Sequence, residues 1–176
     1  MAEMSNPKEH SQIKESILEK YLGVWYMKIT YRFRRAYYVD TCSGPGVFDN
    51  GIHGSPMIAL KNAFEAWKKH PSCGYEFVFC DAKADVLRRL KENITSFLSC
   101  FESGFNSAVQ IHFHECDFLE KFDMILNEAK KKETAAFLFI DPFNASTVPF
   151  EAIEKAMKGI STEVLFNFMH SDINRN

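Results

Sequence analysis

The chain has 176 residues, 46% hydrophobic and 25% charged, with a formal net charge of −2 at pH 7. That length and apolar content fill one core rather than two domains, and the near balance of charge gives no global attraction for a polyanion. No apolar run approaches the roughly 20 residues that span a bilayer, and the polar start Met1 to Lys8 lacks a signal-peptide core. Five cysteines without a Cys-x-x-Cys pair suit reduced thiols, so a soluble, cytoplasmic protein is expected.

Asn6-Pro7-Lys8-Glu9 reads as a capped helix start, and the first helix is expected over about 7–29. Ile13, Ile17, Leu18, Tyr21, Leu22 and Trp25 recur at helical spacing, which predicts one face packed on the main body. A basic stretch follows, Lys28 with Arg32, Arg34 and Arg35, and reads as a solvated rim. The apolar run Ala36 to Val39 is the first strand, and it leads into Asp40-Thr41-Cys42-Ser43-Gly44-Pro45-Gly46. Glycines let such a turn approach a ligand closely, and a strand-end carboxylate accepts hydrogen bonds from amines or hydroxyls. A tight turn of purely structural meaning is the alternative.

Val47 to Gly54 reads as a flexible loop able to cover the glycine turn, and Ser55-Pro56 as a cap-plus-proline start of a helix that ends before His70-Pro71. From there strands near 75–80, 109–114, 135–140 and 163–168 alternate with helices near 83–100, 118–131 and 149–158. This βαβ rhythm predicts a parallel sheet whose ligands bind at the carboxyl ends of the strands. Four aspartates fall at those ends: Asp40, Asp81, Asp117 and Asp141. Asp81 suits the two hydroxyls of a ribose or the capping of its helix; Asp117 suits an amine, or a cap. Asp141-Pro142-Phe143-Asn144 offers a carboxylate, carbonyls and an aromatic face for an amine or planar substrate, with a structural turn as the alternative. The chain ends about eight residues beyond the last strand, as expected of a C-terminally truncated or an unusually minimal domain.

Other constellations are weaker. The glycine turn lacks the third glycine of the dinucleotide fingerprint, which disfavours NAD. His112, His114 and Cys116 share one face of a strand, yet are too nearly collinear to wrap a tetrahedral ion, so no metal site is assigned. Cys42 has no base nearby in sequence, which argues against a catalytic thiol.

On these residues the chain resembles the three-Cys-motif partner protein family, itself similar to class I adenosyl-methionine-dependent methyltransferases. The likeness runs from Ile17 to Trp25 through Tyr38-Val39-Asp40 with Ser43-Gly44-Pro45-Gly46 and Gly54-Ser55-Pro56. It continues through Phe139 to Phe143, Val148-Pro149-Phe150 and Asn167-Phe168-Met169 with Asp172 to Arg175. Cys42 and Ser43 replace the aromatic and alanine of the family's turn, Asp81 stands where glutamate is common, and the second proline of an Asp-Pro-Pro-aromatic motif is missing. The resemblance implies a Rossmann-like three-layer α/β/α sandwich, mostly parallel, with strand order 3-2-1-4-5 and without the last methyltransferase strands. It further implies S-adenosyl-methionine as cofactor, held by Asp40, Ser43, Gly44, Gly46, Asp81 and Asp117, and a catalytic motif of Asp141, Pro142 and Phe143. The expected reaction is methyl transfer to an amine of nucleic acid. The alternatives are a non-catalytic cofactor-binding or protein-partner module acting with a cysteine-motif protein, and a metal-dependent nuclease using Asp40, Asp81 and Asp141.

Overall fold

In the computed structural model, which describes residues 9–142, 148–158 and 161–167, five parallel strands run in the order β3-β2-β1-β4-β5. They are β1 (Arg35–Asp40), β2 (Gly74–Asp81), β3 (Val109–Glu115), β4 (Thr134–Ile140) and β5 (Thr162–Phe166). The helices are α1 (Glu9–Ile29), α2 (Ser55–Trp67), α3 (Ala84–Leu98), α4 (Ser103–Ala108), α5 (Phe118–Ala129) and α6 (Phe150–Met157). This is the expected Rossmann-like α/β fold with its expected strand order. Among the described residues no helix is long and apolar enough to cross a membrane.

Alternation along the strands builds two cores, because successive side chains point to opposite faces. Ala36, Tyr38, Tyr75, Phe77, Phe79, Phe137 and Phe139 face α1, α2, α3 and α4. Tyr37, Val39, Val78, Cys80, Leu138 and Ile140 face α5 and α6. Each fully buried large apolar side chain contributes about 1.5–3 kcal/mol. The central strands are therefore the apolar runs of the sequence: β4 is buried at all seven positions. Tyr38 and Phe137, paired across β1 and β4, stack with ring centroids 6.0 Å apart. A satellite of Phe64, Trp67, Phe101 and Phe105 packs beneath α4. That short helix is absent from the sequence reading, which has a single helix over 83–100.

α1 divides its apolar residues differently from expectation. Leu18, Leu22, Trp25, Tyr26 and Ile29 are buried, whereas Ile13, Ile17 and Tyr21 are 47–56% exposed. The two sets are separate stripes about 100° apart, and only one of them can face the sheet. Glu15 lies in register with the buried stripe and is 8% exposed. The Asn6-Pro7 cap lies outside the described residues.

Candidate functional site

β1 delivers Asp40 to the carboxyl edge of the sheet with no solvent exposure. Tyr38 Oη donates to Asp40 Oδ2 at 3.4 Å, the Cys42 amide to Oδ1 at 3.3 Å, and the Ser55 hydroxyl also donates to the carboxylate. Burial pushes the Asp40 carboxyl up to about 7; the Ser55 and Cys42 hydrogen bonds and Lys14 oppose that rise, and Asp141 adds to it. Ser55 therefore does not cap α2. The N-cap is Gly54, with Ser55 inside the helix and Pro56 beside it, because the hydroxyl is drawn to the buried acid instead.

The turn after Asp40 is stitched to both neighbouring strands. Thr41 N–H donates to Phe139 O at 3.1 Å, and Ser43 donates to Cys80 O through its amide at 2.9 Å and its hydroxyl at 3.1 Å. The Gly44 amide donates to Asp81 Oδ2 at 3.2 Å, and Asn93 Nδ2 of α3 to Pro45 O at 2.8 Å. Gly44 and Gly46 have φ of 60° and 76°, the left-handed region that favours glycine. A Cβ on Gly46 would come within 2.6 Å of Met57 Cε and 2.7 Å of Leu90 Cδ1, whereas one on Gly44 would meet nothing within 4 Å. Gly46 thus seats the turn on α2 and α3, and Gly44 borders open space.

Asp81, 8% exposed, spans the turn and the start of the next helix: Oδ1 accepts from the Lys83 amide at 3.0 Å and Oδ2 from Gly44. It does not cap α3 directly, since Lys83 occupies the N-cap and no side chain bonds there. Asp117 does cap, accepting from the Leu119 amide at 3.0 Å at the head of α5, and is exposed.

Asp141, one residue beyond β4, is part-buried and doubly engaged. Its Oδ2 pairs with the ammonium of Lys14, and its Oδ1 accepts from Asn167 Nδ2 at 2.6 Å. Pro142 is buried beside it; Phe143 lies outside the described residues. Glu15 of α1 senses the same cluster. Its carboxyl is raised to about 7 by burial, against Lys14, with Asp141 pushing it further. Lys14, Glu15, Ser55 and Asn167 are the site residues that sequence reasoning missed. The signal for Glu15 is an acid in the apolar stripe of an amphipathic helix; Lys14 and Asn167 carry no local signal, because their partner is distant in sequence.

The segment Val47 to Gly54, expected as a loop, is a loop closed on itself by a single bridge. Val47 and His53 form an antiparallel bridge, Phe48 N–H donates to Ile52 O at 3.0 Å, and Asp49 pairs with Arg89 of α3. Its two ends are drawn together by the 2.7 Å bond from Gly54 N–H to Gly46 O. The Cys42 thiol is pushed up to about 12, mainly by burial and then by Asp40, so it stays protonated and is a poor nucleophile. His112 and His114 lie on edge strand β3, with His112 Nε2 3.1 Å from Glu76 Oε1.

The residues present fit a ligand with a sugar and a cationic end. Each Asp81 oxygen has spare lone pairs beyond its one amide bond, open space borders Gly44, and the buried acids Asp40 and Glu15, both raised to about 7, are poised to ionise beside a cation. Neither a protein-family model nor a curated protein matches the chain.

Proposed function

We propose that this chain is a methyltransferase-like protein of the three-Cys-motif partner type. On this reading it binds S-adenosyl-methionine at the carboxyl ends of β1 and β2 and transfers a methyl group to an amine of nucleic acid. The observation that carries the reading is the junction of Gly44 and Asp81, where a strand-end carboxylate is hydrogen-bonded to a left-handed glycine that borders open space. Asp81 would accept the ribose hydroxyls, while Asp40, Ser43, Gly44 and Gly46 would surround the amino-acid end. Asp117 would serve the adenine amine through the oxygen that does not cap α5.

The cofactor, when bound, supplies an electrophilic methyl on a sulfonium. The chain's own part is alignment and proton acceptance: Asp141 and the backbone carbonyls around Pro142 would hold an incoming amine and take up its hydrogen bonds. Lys14 and Asn167 fix the orientation of Asp141 from two sides.

A second reading, a non-catalytic cofactor-binding module that works with a cysteine-motif protein, is favoured by that same engagement. Both Asp141 oxygens already have donors, and a substrate amine would compete with Lys14 for one of them. Calorimetric titration of S-adenosyl-methionine and S-adenosyl-homocysteine, with Asp40→Ala as control, tests the cofactor site. Micromolar binding lost in the variant supports it, and no binding to a well-folded sample rejects it. Asp141→Ala then separates the two readings: methyl transfer abolished with cofactor affinity nearly intact supports catalysis, and a chain that binds cofactor yet methylates neither DNA, RNA nor a partner supports the module.

A further inference from the structure

The net charge of −2 conceals a segregation of charge. Glu15, Asp40, Asp81, Asp117 and Asp141 gather where the strands end. Cations gather where they begin. β1 and β4 enter the sheet side by side, Arg35 opposite Thr134, and the amides of Arg34 and Arg35 both donate to the Glu133 carbonyl, at 3.0 and 3.1 Å. Those bonds tie the segment bearing Arg32, Arg34 and Arg35 to the one bearing Lys130, Lys131 and Lys132.

A groove of about 730 Å³ opens at this junction and follows β3, lined by Arg34, Arg35, Lys131, Lys132, His112 and His114. Two acids, Glu76 and Glu128, also line it. Both are matched within the groove: Arg35 reaches Glu76 at 2.6 Å and Glu128 at 2.9 Å, His112 adds to Glu76, and Lys131 to Glu128. Arg34 and Lys132 are exposed, and among the described residues neither side chain has an ion-pair partner. The solvated rim expected from the arginines is thus one wall of a cationic groove with charge to spare.

We propose that this groove docks the phosphodiester backbone of a nucleic acid and leads it along β3 toward the carboxyl edge. β3 is seven residues long, roughly 20 Å, a length of duplex axis over which each strand carries about six phosphates. Its parallel pairing with β2 sets His114 beside Cys80 and Glu115 beside Asp81, so the groove's far end adjoins the candidate site. An acidic protein would match the charge equally well, but protein interfaces draw on buried aromatic and apolar anchors, and among the described residues Met124 is the one large exposed apolar side chain lining this groove. Backbone docking needs no such anchor.

The inference deepens the nucleic-acid half of the function proposed above and rests on that reading, but the binding itself needs no cofactor. It is tested by fluorescence anisotropy of a labelled mixed-sequence duplex and a single strand, cofactor-free, over a range of salt concentrations. Affinity should fall with salt. Arg34→Ala with Lys132→Ala should lower the slope of log K against log salt by about 1.8 for the duplex, and Arg34→Glu with Lys132→Glu should weaken binding at least tenfold, with melting temperature unchanged. No binding by the unmodified chain, binding indifferent to both double variants, or displacement by polyglutamate as effective as by unlabelled nucleic acid would each overturn the proposal. Titration of S-adenosyl-methionine into the same variants separates the two claims: cofactor binding without nucleic-acid binding rejects the groove alone, and the converse rejects the cofactor reading alone.

Discussion

The Lys14 ammonium pairs with the Asp141 carboxylate, joining the opening helix to the end of the fourth strand across 127 positions of sequence. The contact is part-buried, with side chains 23% and 16% exposed, so it is neither a solvated surface pair nor a fully buried one.

Removing one partner of such a pair strands the other's charge in a poorly solvated place. Lys14→Met should therefore destabilise the fold by about 1–3 kcal/mol, between the ranges for exposed and buried pairs, while Lys14→Arg should recover most of the loss. Denaturant titration of both variants, and of Lys14→Met with Asp141→Asn, measures the coupling. Additive effects in the double variant would show that the pair contributes no mutual stabilisation.

Asp40 makes stability depend on pH in an unusual direction. Its carboxyl is held at about 7 in the folded chain by burial, against an ordinary value near 4 when unfolded. The native state then binds more protons than the unfolded one across that interval, so this group's contribution is fully present below about pH 4 and is lost as pH rises through about 7. Three units correspond to about 4 kcal/mol at most. Glu15, also raised to about 7, acts in the same window. Thermal melting followed from pH 5 to 8 should show a falling melting temperature, and Asp40→Asn should flatten the fall and be the more stable chain at pH 8. A variant with the same pH profile as the unmodified chain would refute the assignment.

How far the sequence discloses this arrangement depends on whether a feature is local. The strands are legible because burial on both faces makes parallel strands continuous apolar runs, as in Ala135 to Ile140, whereas their order in the sheet has no local signal in the sequence. The strand-end acids are legible for the same reason. Their partners are not: Ser55 looks like a helix cap until Asp40 claims its hydroxyl, and Lys14 looks like part of a covering helix until β4 brings Asp141 beneath it. α4 is not legible because it is only six residues long; in the structure a Cβ on Gly104, its second residue, would come within 2.9 Å of the Trp67 ring, so glycine there lets the short helix pack close. Of the groove's cations the sequence discloses only the arginine stretch, as a rim; the pairing of β1 with β4 is what brings Lys131 and Lys132 beside it as one surface.

The same buried acids make a prediction about ligand binding on the proposed function. A cationic ligand stabilises the ionised carboxylate, so binding near Asp40 should release protons at neutral pH, and affinity should rise from pH 6 to 8. Calorimetry of S-adenosyl-methionine in two buffers of different ionisation enthalpy reads the proton count directly. Binding with no proton release would mean that the cofactor's charged end lies away from Asp40 and Glu15.

The two left-handed glycines of the turn separate folding from binding. Gly46→Ala incurs the backbone cost of φ 76° and also forces the ends of the Met57 and Leu90 side chains, 2.6 and 2.7 Å from the new methyl, to shift, so it should destabilise the chain by about 2–3 kcal/mol. Gly44→Ala incurs only the backbone cost at φ 60°, about 1–2 kcal/mol, because its methyl meets nothing within 4 Å. That methyl would instead project into the space beside Asp81 that the cofactor is proposed to fill. Gly44→Ala should accordingly fold, melt a few degrees lower, and bind S-adenosyl-methionine at least tenfold more weakly. Equal cofactor affinity in a folded Gly44→Ala chain would move the proposed ligand off this turn, and a Gly46→Ala chain as stable as the unmodified one would show that neither the backbone at φ 76° nor the Met57 and Leu90 side chains resist a methyl there.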